Sequence, residues 1–78
     1  MSIFYFHIRS ASSLIEDLEG SVLPNLAAAC TEARMSAHDL LVELIKAELP
    51  LDGQCIEVAD VDGVVVASVS LKNTITQR

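Results

Sequence analysis

Apolar and polar residues alternate in the first stretch of the chain, IFYFHIRS, at residues 3–10. A period of two is typical of a β-strand with one buried and one solvated face. The set that we expect to face the core is Phe4, Phe6 and Ile8. The set that we expect on the opposite face is Tyr5, His7 and Arg9. The stretch therefore predicts a half-buried strand whose polar members form its solvated side.

A short acidic strand is predicted next. Serine and alanine at residues 10–13 form a turn-like run, and Leu14-Ile15 starts a second apolar segment. Three carboxylates follow in that segment: Glu16, Asp17 and Glu19. Charged residues on an outer strand oppose pairing with another chain, so we expect this strand to form an edge of the sheet and to end at Gly20.

One long amphipathic helix is predicted in the middle of the chain. Leu23-Pro24 precedes Asn25, whose side-chain oxygen can accept a hydrogen bond from a free amide of the first helical turn. Pro50 prevents continuation at the other end, because proline lacks an N–H and clashes with the preceding turn. The expected core-facing stripe, spaced four and three residues apart, is Leu26, Cys30, Ala33, Ala37, Leu40, Leu44 and Ala47.

The first half of this stripe consists of small residues, and its second half is rich in leucine. Small residues allow a helix to approach its partner closely, so we expect the bulky aromatic strand to lie beneath the alanine half. The same spacing persists for about three heptads and leaves a parallel coiled coil open as an alternative. Alanine and cysteine make a weak seam, and packing on the chain's own sheet is the preferred interpretation.

A second hairpin is predicted in the last third. Two runs rich in β-branched residues, 54–59 and 64–71, flank Asp62-Gly63, which is a strong turn signal. A two-residue turn would place five residues on one face: Ile56, Val58, Val65, Ala67 and Val69. A three-residue loop with Gly63 in a bulge would shift that register by one, and the sequence leaves the two open. Residues 72–78 predict a polar, frayed tail.

The element order is therefore strand, strand, helix, strand, strand. We predict one α+β domain over residues 1–78, in which a four-stranded antiparallel sheet carries the long helix on one face. A chain of 78 residues buries only roughly 60–65% of its surface on folding, so further burial by self-association is expected. We expect a homodimer.

Charge and composition exclude several classes of function. The formal net charge is -6, and the five lysines and arginines form no basic stripe, so binding to nucleic acid or to an anionic membrane is not expected. The N-terminus lacks the basic and apolar regions of a secretory signal, and no apolar run approaches a membrane span. Cys30 and Cys55 have no zinc-like spacing. We expect a cytoplasmic protein with two reduced cysteines.

Candidate chemistry is sparse. Tyr5, His7 and Arg9 could form a face for a partner or an anionic ligand, although a plain solvated strand explains them more simply. His38 could bind a metal together with His7 only if their elements face each other. The segment Asp60-Val61-Asp62-Gly63 lacks the later glutamate of a calcium loop, where Val69 stands. With no phosphate loop, nucleophile elbow or HExxH motif, we expect no enzymatic activity, cofactor or resident metal.

Several short motifs together resemble a known family. They are Phe6-His7-Ile8 with Arg9, Leu14-Ile15-x-Asp17-x-Glu19-Gly20, Leu23-Pro24, Asp52-Gly53, Glu57-Val58 and Asp60-x-Asp62-Gly63-x-Val65. The chain resembles a family of short alphaproteobacterial proteins described only as a domain of unknown function. It departs from that pattern mildly, with Ser10-Ala11 in the first turn and Asn25 in place of an aspartate cap. The resemblance implies the fold and no activity. The centre of the chain is also loosely similar to HicB-type antitoxins.

These observations favour a small self-associating interaction module that uses an exposed strand edge or the sheet face away from the helix. The first alternative is an antitoxin-like or regulatory protein whose acidic surface binds a basic partner. The second alternative is a small metal-binding protein or enzyme that uses His7.

Overall fold

The computed structural model describes residues 2–76 and has an antiparallel sheet with one long helix, which confirms the predicted α+β class. The elements are β1 (Ser2–Arg9), β2 (Leu14–Ile15), β3 (Ser21–Leu23), α1 (Leu26–Lys46), β4 (Cys55–Ala59), β5 (Val65–Ser70) and α2 (Leu71–Thr76). The sheet has five strands rather than the predicted four. The difference arises because the acidic second strand is divided into β2 and β3.

The strand order is β2-β1-β4-β5, and β3 also pairs with β1. Ile15 of β2 lies opposite Ile8, and Ser21 of β3 lies opposite Phe4. Between these two pairs, the acidic segment has five residues, 16–20, whereas β1 has only three, 5–7. A continuous antiparallel ladder needs equal numbers on both strands, so the acidic segment forms a loop instead of the predicted strand. The strand resumes after Gly20, where we had expected it to end.

The helix begins and ends close to the predicted positions. The Asn25 side chain accepts a hydrogen bond from the backbone N–H of Ala28 at 2.9 Å, which confirms it as the N-cap. The buried positions are Ala29, Ala33, Ala37 and Leu41, each four residues from the next. Leu40 and Leu44 pack against this core as expected, whereas Leu26 is exposed. The fully buried positions thus have a uniform spacing of four residues, and the predicted alternation of four and three holds only for part of the stripe.

The core lies between α1 and one face of the sheet. Phe4 is buried in it, and Phe6 and Ile8 pack against it, which confirms the inward set of β1. The strands that α1 approaches most closely are β4 and β5, not the aromatic strand that we predicted beneath the alanines. Val58, with no exposed surface, is buried in the same cluster as Ala33, and Phe4 joins that cluster from the neighbouring strand β1.

The second hairpin combines both predicted registers. Its closing pair joins the N–H of Asp60 to the carbonyl of Val64 at 3.0 Å, and the three residues between them form the loop, with Gly63 at φ +82°. Next to the loop, a bulge between Val58 and Ala59 shifts the pairing of the two strands back by one residue. Ile56 therefore pairs with Val69 as a two-residue turn would have required. Loop and bulge together keep the apolar residues on the core side.

The last strand ends at Ser70, one residue before the end of the predicted run 64–71. Leu71 is buried in the core, its N–H donates to the carbonyl of Gln54 at 3.1 Å, and α2 begins there and contacts α1. The last two residues of the predicted tail, 77–78, lie outside the described part. Over residues 2–76, no helix has both the length and the apolar character needed to cross a membrane.

Candidate functional site

The outer face of β1, turned away from α1, holds the three residues that the sequence singled out. The rings of Tyr5 and His7 stack with their centroids 6.4 Å apart and their planes inclined by 10°. Nε of Arg9 donates to Oε2 of Glu57 on β4 at 2.6 Å. The guanidinium is half exposed, whereas Glu57 is mostly covered. The cation on this face is therefore paired through Nε with an acid of the same sheet, which lowers the net charge that the face presents.

His7 is held from the side by the loop between β2 and β3. The backbone N–H of Asp17 donates to Nδ1 of His7 at 3.0 Å. A ring nitrogen that accepts a hydrogen bond carries no proton, so the neutral imidazole has its proton on Nε2. Nε2–H is the group that His7 has left for other partners. The ring is thus fixed in orientation and in tautomer.

The carboxylate of Asp17 fills the gap between β2 and β3. Oδ2 accepts the backbone N–H of Phe6 at 3.1 Å, and Oδ1 accepts those of Glu19 at 3.1 Å and Gly20 at 3.2 Å. Partial burial alone would raise the pKa of this carboxyl. The three N–H donors, and the positive charge that His7 carries when protonated, outweigh burial, so the pKa of Asp17 lies below its ordinary value.

Gly20 closes the loop directly against the aromatic residue of the face. Its φ is +74°, a conformation that favours glycine. A Cβ at this position would lie 2.8 Å from Cγ2 of Ile3 and 2.9 Å from Cε1 of Tyr5. Glycine is therefore required here both by backbone conformation and by lack of space.

Asp17 is the member of this face that sequence reasoning missed, because we had assigned all three acids to a solvated edge. The signal was present in the five-residue spacing between two short apolar segments and in an aspartate three residues before a glycine. Aspartate readily accepts hydrogen bonds from backbone amides two or three residues further on. Glu16 and Glu19 are exposed, as expected for a solvated edge.

The two histidines do not share a site. His7 lies on the face of the sheet that α1 does not cover, and His38 is exposed on the outer side of α1. Among residues 2–76, no three His, Cys, Asp or Glu side chains come close enough together to hold a metal ion. The geometry therefore offers no support for the proposed pairing of these two residues.

The two edges of the sheet differ sharply. On one side, β2 and β3 are two and three residues long and are separated by the Asp17 loop. On the other side, β5 has six residues, VVASVS, and within the described chain it pairs only with β4. The exposed fractions of three successive valines at this edge, Val64, Val65 and Val66, are 56%, 50% and 38%. The free edge is thus uncharged and apolar.

The free backbone groups of β5 follow from the pairing. The N–H of Leu71 bonds to the carbonyl of Gln54, and in an antiparallel ladder alternate residues bond to the same neighbour. Val69 and Ala67 therefore point their backbone groups toward β4. Ser68 and Ser70 point theirs outward, where a further strand could pair with them.

The family comparison covers almost the whole of this architecture. A model of the domain of unknown function DUF6894 matches residues 3–72. The chain belongs to the DUF6894 family. All residues of the outer face of this DUF6894 domain, and all of β5, lie within the matched range. No curated protein and no solved structure matches the chain.

Proposed function

We propose that this DUF6894 protein is a non-enzymatic module that self-associates through the free edge of β5. The observation that carries the proposal is the contrast between the two edges of one sheet. Natural sheets protect their edges with short strands, charges, bulges or covering segments, because a bare edge invites another strand.

The β2–β3 edge has several of these protections. Its strands are short, its ladder is interrupted, and Glu16 and Glu19 are exposed beside it. The Asp17 carboxylate accepts the Phe6 N–H that a neighbouring strand would otherwise use. An incoming strand would have to displace a charge-assisted hydrogen bond at the middle of this edge.

The β5 edge has little such protection. Val65–Ser70 contains no charge and no proline, in a chain where 21% of the residues are charged. The bulge lies at its beginning and leaves Ser68 and Ser70 with outward backbone groups. A second β5 in antiparallel orientation offers the same donors and acceptors, and it brings no charge against the net charge of -6 that both copies carry.

The test is the oligomeric state of the purified chain, measured by light scattering at high micromolar concentration. We expect the chain to form at least a dimer, and we expect Val65→Lys to raise the dissociation constant of the β5 contact by about tenfold or more, because lysine on an edge strand opposes pairing. Val22→Lys on β3 is the matched control, since Val22 is also exposed on a strand at the opposite edge. A parent chain that remains monomeric contradicts the proposal.

A second candidate is the antitoxin-like role, in which the acidic surface binds a basic protein. The net charge of -6 and the exposed Glu16 and Glu19 favour it. If an adjacent reading frame encodes a small basic protein, the two purified chains should form a complex that Glu16→Lys and Glu19→Lys together weaken. Full binding by the doubly substituted chain would count against this role.

A further inference from the structure

The helix α1 has a second stripe on the side away from the sheet. Its members, spaced three and four residues apart, are Ala28, Thr31, Met35, His38, Val42 and Ile45. We call them the outer stripe. Met35 follows buried Ala33 by two positions, which places it about 200° around the helix from the core. Met35 and Ile45 are exposed to 58% and 63%. The alternating spacing is that of a coiled-coil seam over two to three heptads.

A shallow groove lies at the middle of the outer stripe. Its volume is 340 Å³, and it is lined by Thr31, Arg34, Met35, His38 and Asp39. Met35 contributes an adaptable apolar side chain to its lining, of the kind that fills irregular gaps between surfaces. Arg34 and Asp39 lie on its two borders, because one precedes Met35 and the other follows His38.

The two border charges have no ionic partner within the part of the subunit that the structure describes. Among residues 2–76, neither Arg34 nor Asp39 has a salt bridge, and the one hydrogen bond of the Arg34 guanidinium is to the hydroxyl of Thr31 at 3.3 Å. They are five residues apart. In a parallel pair of helices, a residue just before one seam position faces the residue five positions later on the partner.

We propose that the outer stripe is a second contact between copies of this chain, in which two α1 helices pack in parallel. Arg34 then faces the partner subunit's Asp39, and the reciprocal pair forms by symmetry. An antiparallel pair centred on the same groove would instead bring Asp39 toward acids of the partner helix, its own counterpart or Glu32. Charge complementarity therefore selects a second copy in parallel orientation. This contact uses a different surface from the β5 edge and does not depend on it.

Charge exchange tests the contact. In a Val65→Lys background, which weakens the β5 edge, we expect the chain to remain a dimer. Arg34→Glu and Asp39→Arg should each raise the dissociation constant by about tenfold, and the double variant should restore it, because the reversed pair attracts again. Sedimentation equilibrium measures all four chains. A chain that combines Arg34→Glu with the control substitution Val22→Lys keeps the β5 edge intact. Its dissociation constant shows how much the reversed charge at the outer stripe weakens association when the β5 contact can still form.

The two proposals fail in different ways. A Val65→Lys chain that is strictly monomeric overturns the outer-stripe contact and leaves the β5 contact standing. A chain that dissociates with Arg34→Glu but not with Val65→Lys supports the outer stripe and overturns the β5 contact. Single charge variants that associate like their parent, or a double variant that fails to restore association, also overturn the outer-stripe contact.

A cross-link tests the orientation. Ile45 lies about 15 Å along the helix from Met35, so two Ile45→Cys residues meet in a parallel pair but lie roughly 25 Å apart in an antiparallel pair centred on the groove. With Cys30 and Cys55 replaced by alanine, the Ile45→Cys chain should oxidise to a disulfide-linked dimer. Oxidation that produces no linked dimer, in a chain that still associates, contradicts the parallel arrangement.

Discussion

Asp17 and His7 hold each other through a hydrogen bond that runs from a backbone amide to a side chain. The N–H of Asp17 donates to Nδ1 of His7 at 3.0 Å, while the Asp17 carboxylate accepts the N–H of Phe6, the residue before His7, at 3.1 Å. Asp17 thus forms hydrogen bonds with two neighbouring residues of β1, with the ring of His7 and with the backbone of Phe6. Where β2 and β3 leave the ladder incomplete, Asp17 replaces the missing strand.

Replacing Asp17 should be costly although it is not deeply buried. Asp17→Ala removes the acceptor of three backbone amides, and we expect it to lower the free energy of unfolding by about 2 kcal/mol. Urea unfolding measures the change. Glu16→Ala, which removes an exposed acid from the same loop, is the control and should change stability little. Equal effects of the two substitutions would show that the carboxylate does not organise the loop.

The stability of the chain should also depend on pH through this carboxyl. Because folding lowers the pKa of Asp17, its carboxylate stabilises the fold above the unfolded-state pKa. That contribution is lost as the pH falls through the folded-state pKa. We expect the difference in unfolding free energy between the parent and Asp17→Asn to shrink between about pH 5 and about pH 3. A difference that stays constant over this range would contradict the assignment.

The hydrogen bond to Nδ1 predicts the tautomer of His7. When neutral, His7 should carry its proton on Nε2, which the nitrogen chemical shifts of the imidazole report directly by NMR. His38 has no such donor at either ring nitrogen within residues 2–76 and serves as the internal comparison. A neutral His7 with its proton on Nδ1 would be incompatible with the structure.

Gly20 and Gly63 separate the cost of backbone conformation from the cost of crowding. Both have positive φ, +74° and +82°. A Cβ at Gly20 would lie less than 3 Å from atoms of Ile3 and Tyr5, whereas a Cβ at Gly63 would have no atom within 4 Å. Gly63→Ala should therefore cost about 1 kcal/mol, and Gly20→Ala about 2 kcal/mol or more. Thermal melts compare them. Equal losses would mean that Tyr5 and Ile3 move aside freely.

Proline substitutions test which backbone groups of β5 are free. Ser68→Pro removes an outward N–H, so the fold should survive and the dissociation constant of the β5 contact should rise by about tenfold. Val69→Pro removes an N–H directed at β4 and should cost about 3 kcal/mol of stability. Circular dichroism and light scattering report the two effects separately. If Ser68→Pro unfolds the chain, or leaves its association the same as that of the parent, the assigned direction or the proposed edge is wrong.

The sequence predicted those parts of the fold that depend on local patterns. Phe4 and Ile8 alternate with polar residues, Asn25 caps the start of the helix and Pro50 sets a limit just beyond its end, so β1 and α1 could be located from propensity and capping alone. The strand beneath α1 could not be identified, because small residues such as Ala33 specify a close approach but not a particular neighbour. The pairing of strands fixes that neighbour, and pairing is a non-local property.

The candidate face was only partly accessible to such reasoning. The alternation of β1 put Tyr5, His7 and Arg9 together, but nothing local indicated that Glu57 would lie beside Arg9. The role of Asp17 could not be predicted for a different reason. An acid after an apolar pair is equally typical of a charged edge strand and of a loop that interrupts an edge strand. The lengths of the paired segments decide between them, and these are set by the register of β3 on β1.

The interruption at Asp17 also limits how far a shared sheet can grow. If two copies join through β5, the combined sheet has β2 and β3 at both of its outer margins. Each margin is broken in the middle and acidic, so neither is a suitable template for a third copy. A defect in one strand would in this way act as a terminator of the sheet, which ends after two copies whatever contacts the helices make.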